Sequence, residues 1–368
     1  MKVLFLTFIP SPYRLSFFEE LGKQCDLTVL FERGQSKYRK GNWKDFQFNG
    51  YKGIILKGIT AYLQDRFCPG CLKYVLNRSY DVIVLSNPLS PTGILAATIM
   101  RMCRIPYIVE CDGAFPTGIK NWKTKLKGFV MKHAKLCMSP GAKADEYFEE
   151  TGVEKSRIMR YPFTSVSELE IVDAPLDSDS KNSLRKEIGM QEGFTVISVG
   201  QFIHRKGFDN LLKVADICRD TNFVIIGDKP TQDYLDYVAE KQLKNVCFKE
   251  FMPKTEVYKW LKASDLYLMS TRYDIWGLVV NEALACGLPI ISTNQCLASL
   301  EMIEEGKNGY LTSVDDIALM AKHINNIKKT SRFFDMGQNA IATAKKYTFT
   351  TMADAHLKAF AKFKTYSK

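Results

Sequence analysis

The stretch TVISVGQFIHRKGFDNLL, residues 195–212, decides how this chain is read, because it passes from an apolar strand through a short basic loop into an amphipathic helix. Thr195 to Val199 is a run of β-branched and small residues, the composition of a buried strand. Gly200 breaks it, and Phe208 opens an apolar-periodic run to residue 219, which predicts a helix. Between them Arg205, Lys206 and Gly207 stand just before the helix start. Backbone N–H groups and the helix dipole favour phosphate there, and two cations favour a diphosphate.

The same strand–loop–helix unit recurs on both sides. Downstream, strands are expected at Phe223 to Ile226, Val246 to Phe248, Leu266 to Met269 and Ile290 to Ser292, with helices at 231–242, 255–263, 277–286 and 297–305. Upstream, strands at Val3 to Phe8, Leu27 to Phe31, Asp81 to Leu85, Tyr107 to Cys111, Leu136 to Ser139 and Arg157 to Tyr161 alternate with helices ending at Leu21 and spanning 71–78, 91–103, 121–134 and 141–150. Alternation of this kind builds a parallel sheet covered on both faces. The polar stretch 164–193 interrupts it and reads as a linker ending in a short helix, and the last fifty residues read as helical. The expected class is therefore α/β, with two Rossmann-like doubly wound parallel-sheet domains facing a central cleft. They span 1–163, with a C-terminal helix 351–368 returning to the first, and 194–350.

The second informative stretch is YDIWGLVVNEALACGLP, residues 273–289. Gly277 opens an apolar helix at Leu278 and Val279, and Gly287 and Pro289 end it. Asp274 lies in the loop before the helix, and Glu282 in its second turn, where a carboxylate can accept hydrogen bonds from vicinal hydroxyls such as those of a ribose.

Composition sets outer limits. The 368 residues are 46% hydrophobic and 25% charged, values of a folded protein rather than a disordered one. No apolar run approaches the roughly 18 residues needed to cross a bilayer, and the N-terminal MKVLFLTFIPSPYR reads as a buried first strand rather than an export signal. Ten irregularly spaced cysteines suit a reducing, cytoplasmic compartment. Cys68-Pro-Gly-Cys71 lacks the second ligand pair a zinc site needs and reads as packing. The triplet Asp177-Ser178-Asp179 falls in the polar linker without a strand to position a metal, and His133 and His204 have no spaced partners, so no metal site is expected.

Together, GQFIHRKGFD and YDIWGLVVNEALACGLPII resemble the retaining, GT-B-fold glycosyltransferases of family four, the bacterial cell-envelope and capsular polysaccharide type. The blocks FVIIGD, FMPKTEVYKWLKASDLYLMS and EMIEEGKNGYLT follow in the same order, so the likeness covers most of residues 190–315. It implies a nucleotide-sugar donor, UDP-sugar favoured, as substrate, with no separate cofactor and no metal. It also implies that Lys206 and Arg205 meet the diphosphate, Glu282 the ribose, and Gly277, Leu278, Val279, Gln201 and Met252 the rest of the nucleotide. Asp274 takes the place of a glutamate and is one methylene shorter, and Gln201 replaces an arginine.

In the first half, PYIVECDGAF ends a strand at Asp112 and Gly113. Asp112 can orient or deprotonate an acceptor hydroxyl, or serve as a turn residue. Tyr13 and Arg14, in the loop IPSPYR, are further acceptor-side candidates. The net charge of +11 points to an anionic partner. Part of it lies in KNWKTKLKGFVMKHAK, where Lys120, Lys123, Lys125 and Lys127 interleave with Trp122 and Phe129. Such a helix either rests on the inner face of an anionic membrane or covers the sheet with its lysines solvated. The expected acceptor is a lipid-linked saccharide. A nucleic-acid-modifying glucosyltransferase of the same fold, or a catalytically silent sugar-nucleotide-binding protein, are the alternatives.

Overall fold

The computed structural model describes residues 1–34, 47–62, 65–119 and 122–366. The chain divides into two compact units, Met1–Thr164 with Phe349–Lys368, and Ser165–Thr348.

The first unit runs β1 (Lys2–Thr7), α1 (Pro12–Gly22), β2 (Asp26–Phe31), β3 (Lys52–Ile55), β4 (Ile59–Tyr62), β5 (Asp65–Phe67), α2 (Leu72–Val75), β6 (Val82–Leu85), α3 (Pro91–Met102), β7 (Ile108–Glu110), α4 (Trp122–Met131), β8 (Leu136–Ser139), α5 (Ala142–Glu150) and β9 (Ile158–Arg160). Among the described residues seven strands form one sheet in the order β3-β2-β1-β6-β7-β8-β9, with every pair parallel. Helices cover both faces, so β6 and β8 are buried at every position. This is why their sequences are unbroken apolar runs rather than alternating ones. Pro12 starts α1, where a missing N–H costs nothing, and the Ser90 hydroxyl accepts the Gly93 N–H to cap α3. The expected helix at 71–78 shrinks to Leu72–Val75, because Pro69 opens a 3-10 turn and the turn formers Asn77 and Ser79 follow.

The second unit runs α6 (Ser178–Ile188), β10 (Thr195–Val199), α7 (Phe208–Ile217), β11 (Asn222–Ile226), α8 (Gln232–Glu240), β12 (Val246–Lys249), α9 (Lys254–Ala263), β13 (Leu266–Met269), α10 (Leu278–Ala285), β14 (Ile290–Thr293), α11 (Leu297–Met302), β15 (Gly309–Thr312), α12 (Ile317–Thr330) and α13 (Phe333–Ala344). The remaining helix, α14 (Phe349–Tyr366), belongs to the first unit, where it packs on α1, β6 and β8. Six strands pair in the order β12-β11-β10-β13-β14-β15 among the described residues, again all parallel. Order reverses at β10 and β13, and ligands bind open α/β sheets at the carboxyl ends of strands beside such a reversal.

The polar stretch read as a linker joins the second unit from Ser165 onward. Asp177 caps α6 by accepting the Ser180 N–H at 2.8 Å, and Gly189 ends that helix at φ 66°. From α6, Lys181 and Arg185 reach Asp265 at 2.9 and 2.7 Å, and Asp265 also accepts the Thr195 N–H at 2.8 Å. All three side chains are buried, so one carboxylate staples α6 to the starts of β10 and β13. Among the described residues no helix is long and apolar enough to cross a membrane.

Candidate functional site

In the second unit the chain leaves β10 through Gly200 and Gln201, makes a 3-10 turn at His204–Lys206 and enters α7 through Gly207. Gly207 has φ 67°, and a Cβ there would collide with the Ser270 carbonyl oxygen, so only glycine allows the two loops to touch. The β13–α10 loop lies against this turn. Thr271 Oγ1 and the Arg272 N–H donate to the Arg205 carbonyl at 2.9 and 2.8 Å, and Ser270 Oγ donates to the Lys206 carbonyl at 3.2 Å.

This contact brings the expected donor residues together. Lys206 Nζ lies 2.6 Å from Asp274 Oδ2, and Arg205 Nη1 lies 3.2 Å from the same oxygen. Lys206 and Asp274 are largely shielded, with side chains 13% and 11% exposed, whereas Arg205 projects further at 41%. The Asp274 backbone is held on both sides: its N–H donates to the Gln295 carbonyl at 2.8 Å and its carbonyl accepts from Leu297 at 3.3 Å. Trp276, buried, donates Nε1–H to Asn281 at 2.9 Å and anchors the loop to α10. Gly277 caps α10 at φ 98°, with Cys296 Sγ 2.6 Å from where a Cβ would stand. Leu278 and Val279 are the first two residues of the helix, positions whose N–H groups have no intrahelical acceptor, and the next N–H, of Val280, donates to the Gly277 carbonyl at 2.9 Å. Gln201 is exposed, and Met252 is half-buried in the β12–α9 connection.

Glu282 faces a separate cluster. Its Oε1 accepts from Ser165 Oγ at 2.9 Å, the Ser165 carbonyl accepts from Lys254 Nζ at 2.6 Å, and Lys254 pairs with Glu170 at 2.6 Å. Burial pushes the Glu282 carboxyl up, Lys254 and the Ser165 hydroxyl hold it back, and Glu170 adds to the rise. Sequence reading missed Ser165, Glu170 and Lys254, since the first two lie in a stretch that reads as a solvated linker. The capping box formed by Ser167 and Glu170 was the available signal that this stretch is structured.

In the first unit Asp112, just past β7, accepts from the Tyr13 hydroxyl at 3.0 Å and pairs with Arg14. The neighbouring Gly113 has φ 139°. Arg14 also pairs with Glu110 at 2.6 Å, and Glu110 lies 3.3 Å from His356 on α14. Two carboxylates thus share one buried guanidinium. Burial opposes ionisation of Glu110, yet Arg14 and His356 outweigh it and hold its carboxyl below the ordinary range. For Asp112 burial dominates and Glu110 adds like charge, so its carboxyl is pushed up despite Arg14. Glu110 and His356 were not singled out in the sequence. A lone acid inside the apolar strand PYIVEC was the signal, because a fully buried glutamate needs a partner.

The basic segment is described in part. Lys120 lies outside the described residues, as do the side chains of Trp122 and Lys123. Lys125 is exposed, and Lys127 Nζ sits 5.3 Å from the Tyr147 ring. Phe129 is half-buried and packs on the core of its own unit, as in the reading in which this helix covers the sheet, with the Arg101 guanidinium 4.7 Å from its ring. The neighbouring Gly128 lies against the Thr151 carbonyl, whose oxygen would stand 2.9 Å from an added Cβ. Cys68 and Cys71 lie in the same core, with Cys68 donating to the Glu32 carbonyl at 3.5 Å.

Comparison with known proteins bears on this geometry. Residues 180–347 match the family model described as Glycosyl transferases group 1. An uncharacterized 41.2 kDa protein in the cps region of Klebsiella pneumoniae is 27% identical over 263 residues, 67% of this chain and 68% of that protein. The lipopolysaccharide core biosynthesis glycosyltransferase LpsE of Rhizobium meliloti is 25% identical over 219 residues, covering 58% and 60%. Among solved structures, Anabaena Alr3699/HepE in complex with UDP superposes with a TM-score of 0.79 at 18% identity, covering 98% of this chain and 100% of that one. The same protein in complex with UDP-glucose gives 0.75 at 17% identity, with the same coverage. The two parallel-sheet Rossmann-like units therefore have the GT-B fold, the fold of these structural neighbours, and residues 180–347 match the glycosyl transferases group 1 model.

Proposed function

We propose that this chain transfers a sugar from a nucleotide diphosphate sugar, with a UDP-sugar favoured, to a hydroxyl of a lipid-linked saccharide in cell-envelope polysaccharide or glycolipid synthesis. The observation that carries the reading is the Lys206–Asp274 pair, with Arg205 beside it, at the carboxyl ends of β10 and β13. In the free protein the acid neutralises the basic turn. A donor would exchange partners: its diphosphate takes Lys206 and Arg205, and its sugar hydroxyls take Asp274. As the glycosidic bond breaks, negative charge grows on the departing diphosphate. Cations already in place stabilise that state more than the ground state, so the side chains serve where a metal ion would otherwise be needed. Glu282, with one oxygen held by Ser165, keeps the other for the ribose. On the first unit Asp112, flanked by Tyr13, Arg14 and Gly113, is the group proposed to orient the acceptor hydroxyl.

The saccharide class rests on what the relatives are: one is encoded in a cps region, and another acts in lipopolysaccharide core biosynthesis. Retention of configuration follows from the resemblance of the motifs. Peripheral attachment at an inner membrane face is proposed from the lysines of α4, without Phe129. UDP-, GDP- and ADP-sugars should be screened for thermal stabilisation, because a ligand that binds only the folded state raises its melting temperature. A rise with UDP-glucose or another UDP-sugar supports the reading, and no rise with any of the three classes contradicts it.

A further inference from the structure

Beyond the pairing of Lys206 and Arg205 with Asp274, a further ion pair joins the same two segments. The turn after β10 supplies the cations Arg205 and Lys206 and the first turn of α7 supplies an anion, Asp209, while the loop after β13 supplies Arg272 and Asp274. Lys206 pairs with Asp274 at 2.6 Å, and Arg272 makes a two-pronged contact with Asp209, Nη1 to Oδ1 at 2.7 Å and Nη2 to Oδ2 at 2.6 Å. The same Nη1 donates to the His204 carbonyl at 2.9 Å. Each segment thus gives charges of both signs to the other.

The two pairs are not equivalent. Under the function proposed above, on which this inference rests, a donor takes Lys206 for its diphosphate and Asp274 for its sugar, so that pair opens when the donor binds. The Arg272–Asp209 fork involves no donor-facing group and survives the exchange. A planar guanidinium held by two carboxylate oxygens resists rotation in a way a lysine contact does not.

We propose that Arg272 and Asp209 are positioning residues, a clamp that keeps the basic turn and the Asp274 loop in register while the donor replaces the Lys206–Asp274 contact. The geometric demand is high, since a displacement of about 1 Å in a transfer site can cost on the order of 100-fold in rate. Without the clamp, the spacing of Lys206 and Asp274 would rest on the hydrogen bonds of Ser270, Thr271 and the Arg272 N–H to the basic turn and on Arg205, whose side chain reaches the Tyr273 carbonyl.

The test uses the full chain without ligand and then with UDP. Lysine acetylation, read residue by residue by mass spectrometry, reports how well Lys206 is held, and the buried Lys181 on α6 serves as a folding control. In Arg272→Ala, Lys206 should become several-fold more reactive while Lys181 does not change. Asp209→Asn should raise it less, and Arg272→Lys least. Calorimetric affinity for UDP should fall about tenfold in Arg272→Ala, a smaller loss than removing a phosphate contact outright. If Lys181 also becomes reactive in Arg272→Ala, that variant has lost its fold, and Asp209→Asn and Arg272→Lys carry the test. Unchanged Lys206 reactivity in folded variants overturns the clamp whatever UDP does. Increased Lys206 reactivity in a protein whose wild type binds no UDP leaves the clamp standing and removes the donor assignment instead.

Discussion

Lys206 Nζ and Asp274 Oδ2 stand 2.6 Å apart although the residues are 68 positions apart in sequence, and Gly207 is what allows the approach. At φ 67°, with a Cβ aimed at the Ser270 carbonyl, this position excludes other residues on two counts. Gly207→Ala should therefore cost about 1 to 3 kcal/mol of stability, the scale of one strained backbone position. It should also weaken nucleotide binding by parting the loops. Denaturant unfolding and UDP calorimetry on the same preparation check both parts.

Glu282→Gln keeps the shape of the side chain and removes its charge. If the carboxylate holds a ribose hydroxyl, UDP affinity should fall by about 1.5 to 3 kcal/mol, the worth of a hydrogen bond to a charged group. Uracil or inorganic diphosphate, which lack the ribose, should bind wild type and variant alike. Equal loss for diphosphate would move Glu282 away from the sugar of the nucleotide.

Asp265 is buried with Lys181 and Arg185, so Asp265→Ala leaves two cations without their counter-charge. A loss of about 3 to 5 kcal/mol is expected, as for other buried pairs broken on one side. Chemical denaturation of the variant measures it. A loss below about 1 kcal/mol, the worth of a surface pair, would show that α6 is not held by this staple.

The carboxyl of Glu32 has a pH signature of its own. Burial pushes it up to about 8, with the Ser90 and Asn87 hydrogen bonds pulling it back. The folded form thus holds a proton that the unfolded chain releases at ordinary carboxylate pH. Stability from this residue is complete below the unfolded value and declines as pH rises towards the folded one. Melting temperature should fall between about pH 5 and about pH 8 in the wild type, and fall less in Glu32→Gln, which stays neutral throughout. Parallel slopes for the two proteins would show that Glu32 does not titrate in this window.

How much of this could be read from the chain alone depended on where the signal lay. Strands buried on both faces, such as Leu136–Ser139 and Leu266–Met269, are short apolar runs bounded by breakers, and these mark both sheets. The edge strands Lys52–Ile55 and Gly309–Thr312 were missed because a half-covered strand need not be apolar throughout. Asp274, Lys206 and Gly277 were legible because glycines at loop–helix junctions mark where backbone and ligand can come close. Ser165, Glu110 and His356 were not, since each acquires its role only from a partner distant in sequence: Glu282, Arg14 and Glu110 respectively. The packing of Phe129 was one of two readings that the sequence left open, as an amphipathic helix does not announce which surface its apolar side meets.

Calorimetric titration of UDP into the wild type and into Lys206→Ala tests the donor site most directly. The wild type should bind, and the variant should lose about 10- to 100-fold in affinity, the worth of roughly 1.5 to 3 kcal/mol for a hydrogen bond to a charged group. The same affinity in both proteins, or no binding by the wild type, would contradict the assignment of this turn to the nucleotide diphosphate.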